Sequence, residues 1–294
     1  MITFFQAIIM GLLQGVTELF PISSLGHSVL FAWLVNWHGL VADETRSESF
    51  FLSFIVVLHV ATALALLAFY RHTWWRIIKG FFRSLHSRKL DEPDGRLAWL
   101  LLAATIPAGI TALALESVLR TQFAKPLSAI IFLFINGCIL LAGDRYIKNK
   151  KQTIHKITAT TERVSETITF QRAVIIGVAQ IGALFAGISR SGITMVSGMY
   201  SGLSQEDAAR FSFLLATPII LAAGIVKLPG FFGSLDAGVR GQILAGGAAA
   251  AIGAYFAVRY LDKYFRDKTL RPFGVYCIVA SVLLLFLGLI RGGF

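Results

Sequence analysis

Gln14, Glu18, Ser23, Ser24 and His27 crowd into one short, otherwise apolar stretch, and Ser189, Arg190, Ser191 and Thr194 crowd into another. Gln14 and Glu18 are four residues apart and share one face of a helix. Ionisable groups are expensive in apolar segments and are kept there for function. Arg190 is the only charge between Arg172 and Glu206, and a buried cation without a counter-ion is prohibitive, so it requires an anion.

The donors point to a phosphate. Arginine offers a planar fork, hydroxyls add single bonds, and a helix beginning after a Gly-rich break presents free backbone N–H groups. Ser23, Gly26, Ser189, Arg190, Ser191, Gly192 and Thr194 form the expected binding set. For chemistry on that phosphate, Arg190 would stabilise charge on the transferring group, and Glu18 would act as base or hold a divalent cation. His27 would shuttle protons, and Ser24 is the best placed nucleophile, although the sequence leaves the choice between Ser24 and His27 open. A cation bridging diphosphate oxygens and one carboxylate is typical of magnesium, with calcium the other hard candidate; Glu18 and Gln14 are its sparse protein ligands. The bland alternative is that Glu18 and His27 merely pair with each other or cap a helix. The second break lacks the lysine and spacing of a P-loop, so nucleotide binding is unsupported. His59 stands inside an apolar span with no motif beside it and reads as a helix-packing histidine. The Trp74-Trp75 pair beside Arg71 and Arg76 marks a membrane interface.

What must position these groups follows from composition. Hydrophobic residues make up 56% of the 294 and charged residues 15%, with a mean hydropathy of +0.71, which describes an all-α polytopic membrane protein. A span needs ~20 mostly apolar residues, and six stretches qualify: 50–70, 97–115, 127–143, 211–228, 243–260 and 273–290. The first apolar stretch starts at Met1 without a basic leader and carries Gln14 and Glu18, so it reads as part of the mature fold. Cys138 and Cys277 lie in apolar spans and behave as small hydrophobes.

The net charge of +11 is spread between the spans instead of forming one basic domain, so nucleic acid is not the expected partner. Residues 71–96, 145–172 and 259–271 are rich in Lys and Arg, whereas 38–49 carries Asp43, Glu44 and Glu48 against one Arg. Basic loops stay cytoplasmic. That rule leaves the segments before residue 50 and over 173–202 each entering and leaving on one side, as re-entrant hairpins broken at 20–26 and 186–192, and it puts both termini outside. Irregular backbone at membrane depth must line a site or be buried in protein.

Shifting the sequence by 166 positions lays Ala7–Gln14 on Ala173–Gln180 and Ser23, Ser24 and Gly26 on Ser189, Arg190 and Gly192. With the charge rule this predicts an inverted-topology repeat with its site near the bilayer midplane. Repeat one covers 1–143, with its hairpin over 1–37; a cytoplasmic linker covers 144–172; repeat two covers 173–294, with its hairpin over 173–203. All belong to a single membrane domain. Membrane lipids are the surrounding partners, and the polar linker is a weaker candidate for membrane-surface contact.

QGVTELFPISSLGH (Gln14 to His27), AGISRSGIT (Ala186 to Thr194) and FSFLLATP (Phe211 to Pro218) resemble the undecaprenyl-diphosphate phosphatase family of the bacitracin-resistance type. The resemblance covers nearly the whole chain. Ala186 stands where the family usually has Pro, and Gln14 takes the amide alternative at a position that is Glu or Gln, which puts its metal role in doubt. The resemblance implies removal of one phosphate from undecaprenyl diphosphate, divalent-metal dependence, an outward-facing site in the bacterial inner membrane and a homodimer. The chief rival is a polyprenyl-phosphate flippase or anion transporter, since broken helices in inverted repeats also build transporters. The phosphatidic acid phosphatase type requires His six residues after the last-motif Arg; Val196 stands there, which excludes it.

Overall fold

Inside hydrocarbon each backbone N–H and C=O must be paired within the protein, and helices achieve this segment by segment. The computed structural model describes residues 2–37, 50–115, 125–149, 161–234 and 239–294, and the regular elements among them are all helical. The acidic stretch 38–49 and residues 150–160 of the expected linker lie outside the described residues. In chain order the helices are α1 (Phe4–Leu19), α2 (Ser24–Leu34), α3 (Phe50–Phe69), α4 (Arg71–Ser87), α5 (Pro93–Ala114) and α6 (Pro126–Asn149). There follow α7 (Thr161–Thr167), α8 (Phe170–Gln180) with a 3-10 turn at Ile181–Leu184, α9 (Arg190–Tyr200), α10 (Gln205–Ser234), α11 (Arg240–Asp267) and α12 (Arg271–Ile290).

By length and composition, α5, α6, α10, α11 and α12 can cross a membrane, and α3 taken with α4, bent 88° away from it, raises the number to six. The chain is a multi-pass helical membrane protein. Several helices outrun the apolar windows that announce them: α6 continues through Asp144 to Asn149, and α10 begins at Gln205. The backbone ladder does not stop where apolar side chains do. For the same reason the basic segment 71–96 is no open loop but carries α4, and the expected linker is narrowed by α6, α7 and an α8 that starts at Phe170.

Two short helix pairs, α1 with α2 and α8 with α9, are built alike. Thr3 caps α1 by accepting from the Gln6 N–H, and Thr169 caps α8 by accepting from the Arg172 N–H. Pro21 interrupts the first pair, since it has no N–H to continue a helix. Ser23, at φ 72°, then accepts from Gly26 N at 3.3 Å to start α2. Ser189 accepts from Gly192 N at 3.1 Å to start α9. Each cap satisfies a donor that a helix start leaves open, about 1 kcal/mol apiece.

Close backbone contact seats both pairs. A Cβ on Gly11 would run into the Gly246 carbonyl of α11, and a Cβ on Gly177 would run into the Ala104 carbonyl of α5. In lipid, where apolar surface alone gives helices little reason to associate, such small-residue contacts supply the packing. α3 packs against both α10 and α11, and α6 packs against α12. Leu19, Leu66, Leu133, Phe211 and Phe213 fill the core around the breaks.

Candidate active site

Glu18 sits in the last turn of α1, where the helix ends against Pro21, and its side chain is 5% exposed. Four groups converge on it. Gln14, one turn earlier, donates from Nε2 to Oε2 at 3.0 Å. Ser24, the first residue of α2, donates from its hydroxyl to the same oxygen. His59 of α3 places Nε2 at 3.1 Å from Oε2. Arg190, the first residue of α9, donates from Nη2 to Oε1 at 2.9 Å. The carboxylate and guanidinium thus meet although 172 positions separate them, and the first residues of α2 and α9, Ser24 and Arg190, both reach this carboxylate.

His27 does not pair with Glu18. Its Nδ1 donates to the Ser23 carbonyl at 2.7 Å, and its Nε2 lies 2.9 Å from the Tyr276 hydroxyl of α12. Carbonyls only accept, so Nδ1 carries a proton, and Nε2 shares a hydrogen with the Tyr276 hydroxyl, which can donate or accept. His59 differs, because its Nδ1 faces the Ile55 carbonyl at 2.8 Å while Nε2 faces the carboxylate. Both nitrogens meet acceptors, an arrangement that only the doubly protonated ring satisfies in full. One carboxylate between an arginine and such a histidine leaves a positive surplus suited to an anion.

The remaining motif residues frame the breaks. Ser23 Oγ accepts from the Gly187 N–H at 3.1 Å, joining the first break to the second. Ser189 and Ser191 hydroxyls lie 3.0 Å apart, and Ser191 donates to the Phe20 carbonyl at 3.3 Å. Thr194 meets the Ser212 hydroxyl at 2.7 Å, and Arg190 Nη1 donates to the Ser212 carbonyl at 3.3 Å. Gly26 and Gly192 lie where the capped helix starts approach backbone and neighbouring side chains closely.

Two residues that sequence reasoning passed over belong here. His59 was expected to be a packing histidine; it bonds to its own helix as such a residue would, but its other nitrogen reaches Glu18. No motif surrounds it, so the usable signal was that it is the one ionisable group in α3. Asn136, fully buried on α6, donates to the Pro21 carbonyl at 3.0 Å and accepts from the Ser189 N–H at 2.9 Å, which clamps both breaks. An amide in an apolar span was its only mark. Asn136→Leu strands one buried donor and one buried acceptor, each costing about 1–3 kcal/mol. Thermal unfolding in detergent is expected to show a loss of about 2–4 kcal/mol.

His59→Leu is expected to lower the turnover number about 10²-fold, the low end for loss of one donor that stabilises charge in the transition state. His59→Gln, which restores one donor to Glu18, should recover part of that loss with little change in KM. Equal rates for wild type and His59→Leu would show that the contact with Glu18 is only structural.

A helical membrane protein that buries these charges at the junction of two interrupted helix pairs belongs with those that act on anionic substrates within the bilayer. The chain belongs to the family described as bacitracin resistance protein BacA, whose model matches residues 7–283. It is similar to the undecaprenyl-diphosphatase of Mycolicibacterium paratuberculosis, with 50% identity over 294 aligned residues and 95% of each chain covered. It is 44% identical over 332 residues to undecaprenyl-diphosphatase 2 of Frankia alni, covering 96% of this chain and 97% of that one. It is also 44% identical over 279 residues to undecaprenyl-diphosphatase 2 of Burkholderia ambifaria, covering 95% and 94%.

Proposed function

We propose that this protein hydrolyses undecaprenyl diphosphate to undecaprenyl phosphate and inorganic phosphate, recycling the lipid carrier for cell-wall synthesis and conferring bacitracin resistance. The observation that carries the reading is the ion pair between Glu18 and Arg190, with Ser24 on the same carboxylate. Full-length relatives named undecaprenyl-diphosphatase supply the lipid.

In the proposed first step Ser24 Oγ attacks the terminal phosphorus while Glu18 takes its proton, and the bond from phosphorus to the bridging oxygen breaks. Undecaprenyl phosphate leaves with that oxygen and its electron pair. Arg190, the N–H groups at the starts of α2 and α9, and His59 stabilise charge on the transferring group. Water then attacks the phosphoserine and gives one proton to Ser24 Oγ as it departs; inorganic phosphate leaves, and Glu18 returns the proton it took to solvent, which restores the carboxylate. His27, held by Tyr276, relays protons at the edge of the site. Ser24 is preferred over His27 as nucleophile because its hydroxyl already donates to a carboxylate, whereas both His27 nitrogens are engaged elsewhere.

The donor set admits a divalent cation, magnesium or calcium. Gln14 Oε1 is buried without a hydrogen-bond partner, next to the Glu18 carboxylate. Among the described residues no group of three or more His, Cys, Asp or Glu gathers for a metal, so Gln14 and Glu18 would share the ion with diphosphate and water oxygens, as magnesium sites do. Such an ion would neutralise diphosphate charge.

The repeat reading is part of the same proposal. Thr3 and Thr169, Gly11 and Gly177, and Ser23 and Ser189 occupy corresponding places 166 positions apart, with the same caps and close contacts. They support two re-entrant hairpins, each followed by three spans, within one domain of inverted repeats 1–143 and 173–294 joined by a cytoplasmic linker. The charge rule supports basic loops in the cytoplasm and termini outside, and the family resemblance supports a site reached from the outer face of the bacterial inner membrane. A homodimer completes the reading, on the family resemblance alone. Transport of an anion needs the donors but has no use for a carboxylate holding a serine hydroxyl, which favours hydrolysis over the flippase.

Purified protein is expected to release phosphate from undecaprenyl diphosphate, and Glu18→Ala to abolish release while lipid binding persists. Loss of binding and release together, in a variant that remains folded, would count against the assigned role of Glu18.

A further inference from the structure

The helix α4 is amphipathic in three sectors. At 100° per residue, Thr73, Ile77, Gly80 and Ser84 fall within about 60° of arc, and all four are buried. Gly80 lets the backbone of Gly95 in α5 come against it, which fixes the rotation of α4 about its own axis. A second sector carries Trp75, Ile78, Phe82 and Leu85, all exposed, Trp75 at 60% and Phe82 at 63%. The third, about 80° wide, carries His72, Arg76, Lys79, Arg83 and His86. Arg71, at the bend, falls in the apolar sector and reaches back to the Ala68 carbonyl at 3.4 Å. α4 contains no acidic residue.

We propose that α4 is a docking face for anionic phospholipid headgroups, lying along the surface of the leaflet into which α3 emerges. Its 88° bend from α3 turns it from the direction of a span to the direction of a membrane surface. Trp75, Ile78, Phe82 and Leu85 enter the boundary between headgroups and acyl chains, the usual depth for such a helix. The basic sector then stands at headgroup level. Arg83 is taken by Glu92 at 2.9 Å and Arg76 lies 4.0 Å from Asp94. Lys79, over the Trp75 ring at 4.8 Å, and the exposed Arg88 and Lys89 just past the helix are the cations offered to lipid phosphate. A second copy of the chain is a poor occupant, because it would bring the same positive charges against themselves.

The full chain is to be reconstituted in vesicles of phosphatidylcholine and phosphatidylglycerol, with bromine on the acyl chains of one lipid or the other. Quenching of Trp75 is read as the difference between wild type and Trp75→Phe. Brominated phosphatidylglycerol is expected to quench with about fivefold preference over brominated phosphatidylcholine, the scale of one basic residue near an anionic surface. The preference should vanish in Lys79→Gln/Arg88→Gln/Lys89→Gln, whose helix content should match wild type. Equal quenching by both lipids in the wild type would overturn the proposal, as would a preference that survives the triple substitution. Absence of quenching by either lipid would mean that protein covers this face, and would overturn it too.

Discussion

Arg190→Ala is expected to slow phosphate release about 10³-fold, within the range for removing a guanidinium that stabilises a transferring phosphoryl group. The substitution also leaves Glu18 buried without its arginine. Breaking a buried pair typically costs about 3–5 kcal/mol; the lower end applies here because Gln14, Ser24 and His59 still donate to or face the carboxylate. Two further variants separate catalysis from stability. Arg190→Lys keeps the charge but loses the fork, so thermal stability should largely return while turnover stays low. Glu18→Gln/Arg190→Ala removes both charges and should unfold at a higher temperature than Arg190→Ala alone while remaining equally inactive. Arg190→Ala retaining more than about a tenth of the wild-type rate would place Arg190 outside the reaction, since such a loss is smaller than that of one oxyanion donor.

Ser24→Ala is expected to abolish turnover by about 10³-fold or more, as loss of a nucleophile does, with lipid affinity changed little. His27→Gln should cost about 10²-fold, the lower range for a proton relay. Quenching the wild-type enzyme in acid during turnover should leave phosphate on Ser24, located by mass spectrometry, because a phosphoserine survives acid. A label that disappears in acid and is retained after mild alkaline quenching on His27 would reverse the two roles. Ser24→Ala turning over at the wild-type rate would remove the covalent step altogether and leave Glu18 to activate water.

The two residue clusters were legible because chemistry is expensive in an apolar segment: Glu18 and Arg190 stand out against their neighbours without any structural knowledge. The matching positions were legible too, since Ser23 and Ser189 each precede a glycine by three residues; that both side chains close a helix start came from the structure. His59 and Asn136 were not. Each lies in a helix whose other residues announce only membrane, and a lone polar group there has the same appearance whether it bonds to its own helix or across a junction. His59 in fact does both. The helix α4 was half legible: Trp74, Trp75 and the neighbouring arginines marked an interface, but neither its 88° bend from α3 nor the close approach of Gly80 to Gly95 of α5 shows in a local window.

Hydrophobic runs, charge placement and the recurring polar pattern therefore determined by themselves that this is a helical membrane protein with two broken segments and phosphate-type donors in both. These are properties of short windows, in which each residue's transfer free energy and local hydrogen bonds act nearly independently of distant ones. Tertiary structure alone decided that Glu18 would be shared by Gln14, Ser24, His59 and Arg190, that His27 would turn to Tyr276 instead, and that Asn136 would hold both breaks. Those outcomes depend on which small residues let which backbones touch, and on most buried polar groups finding partners once they do.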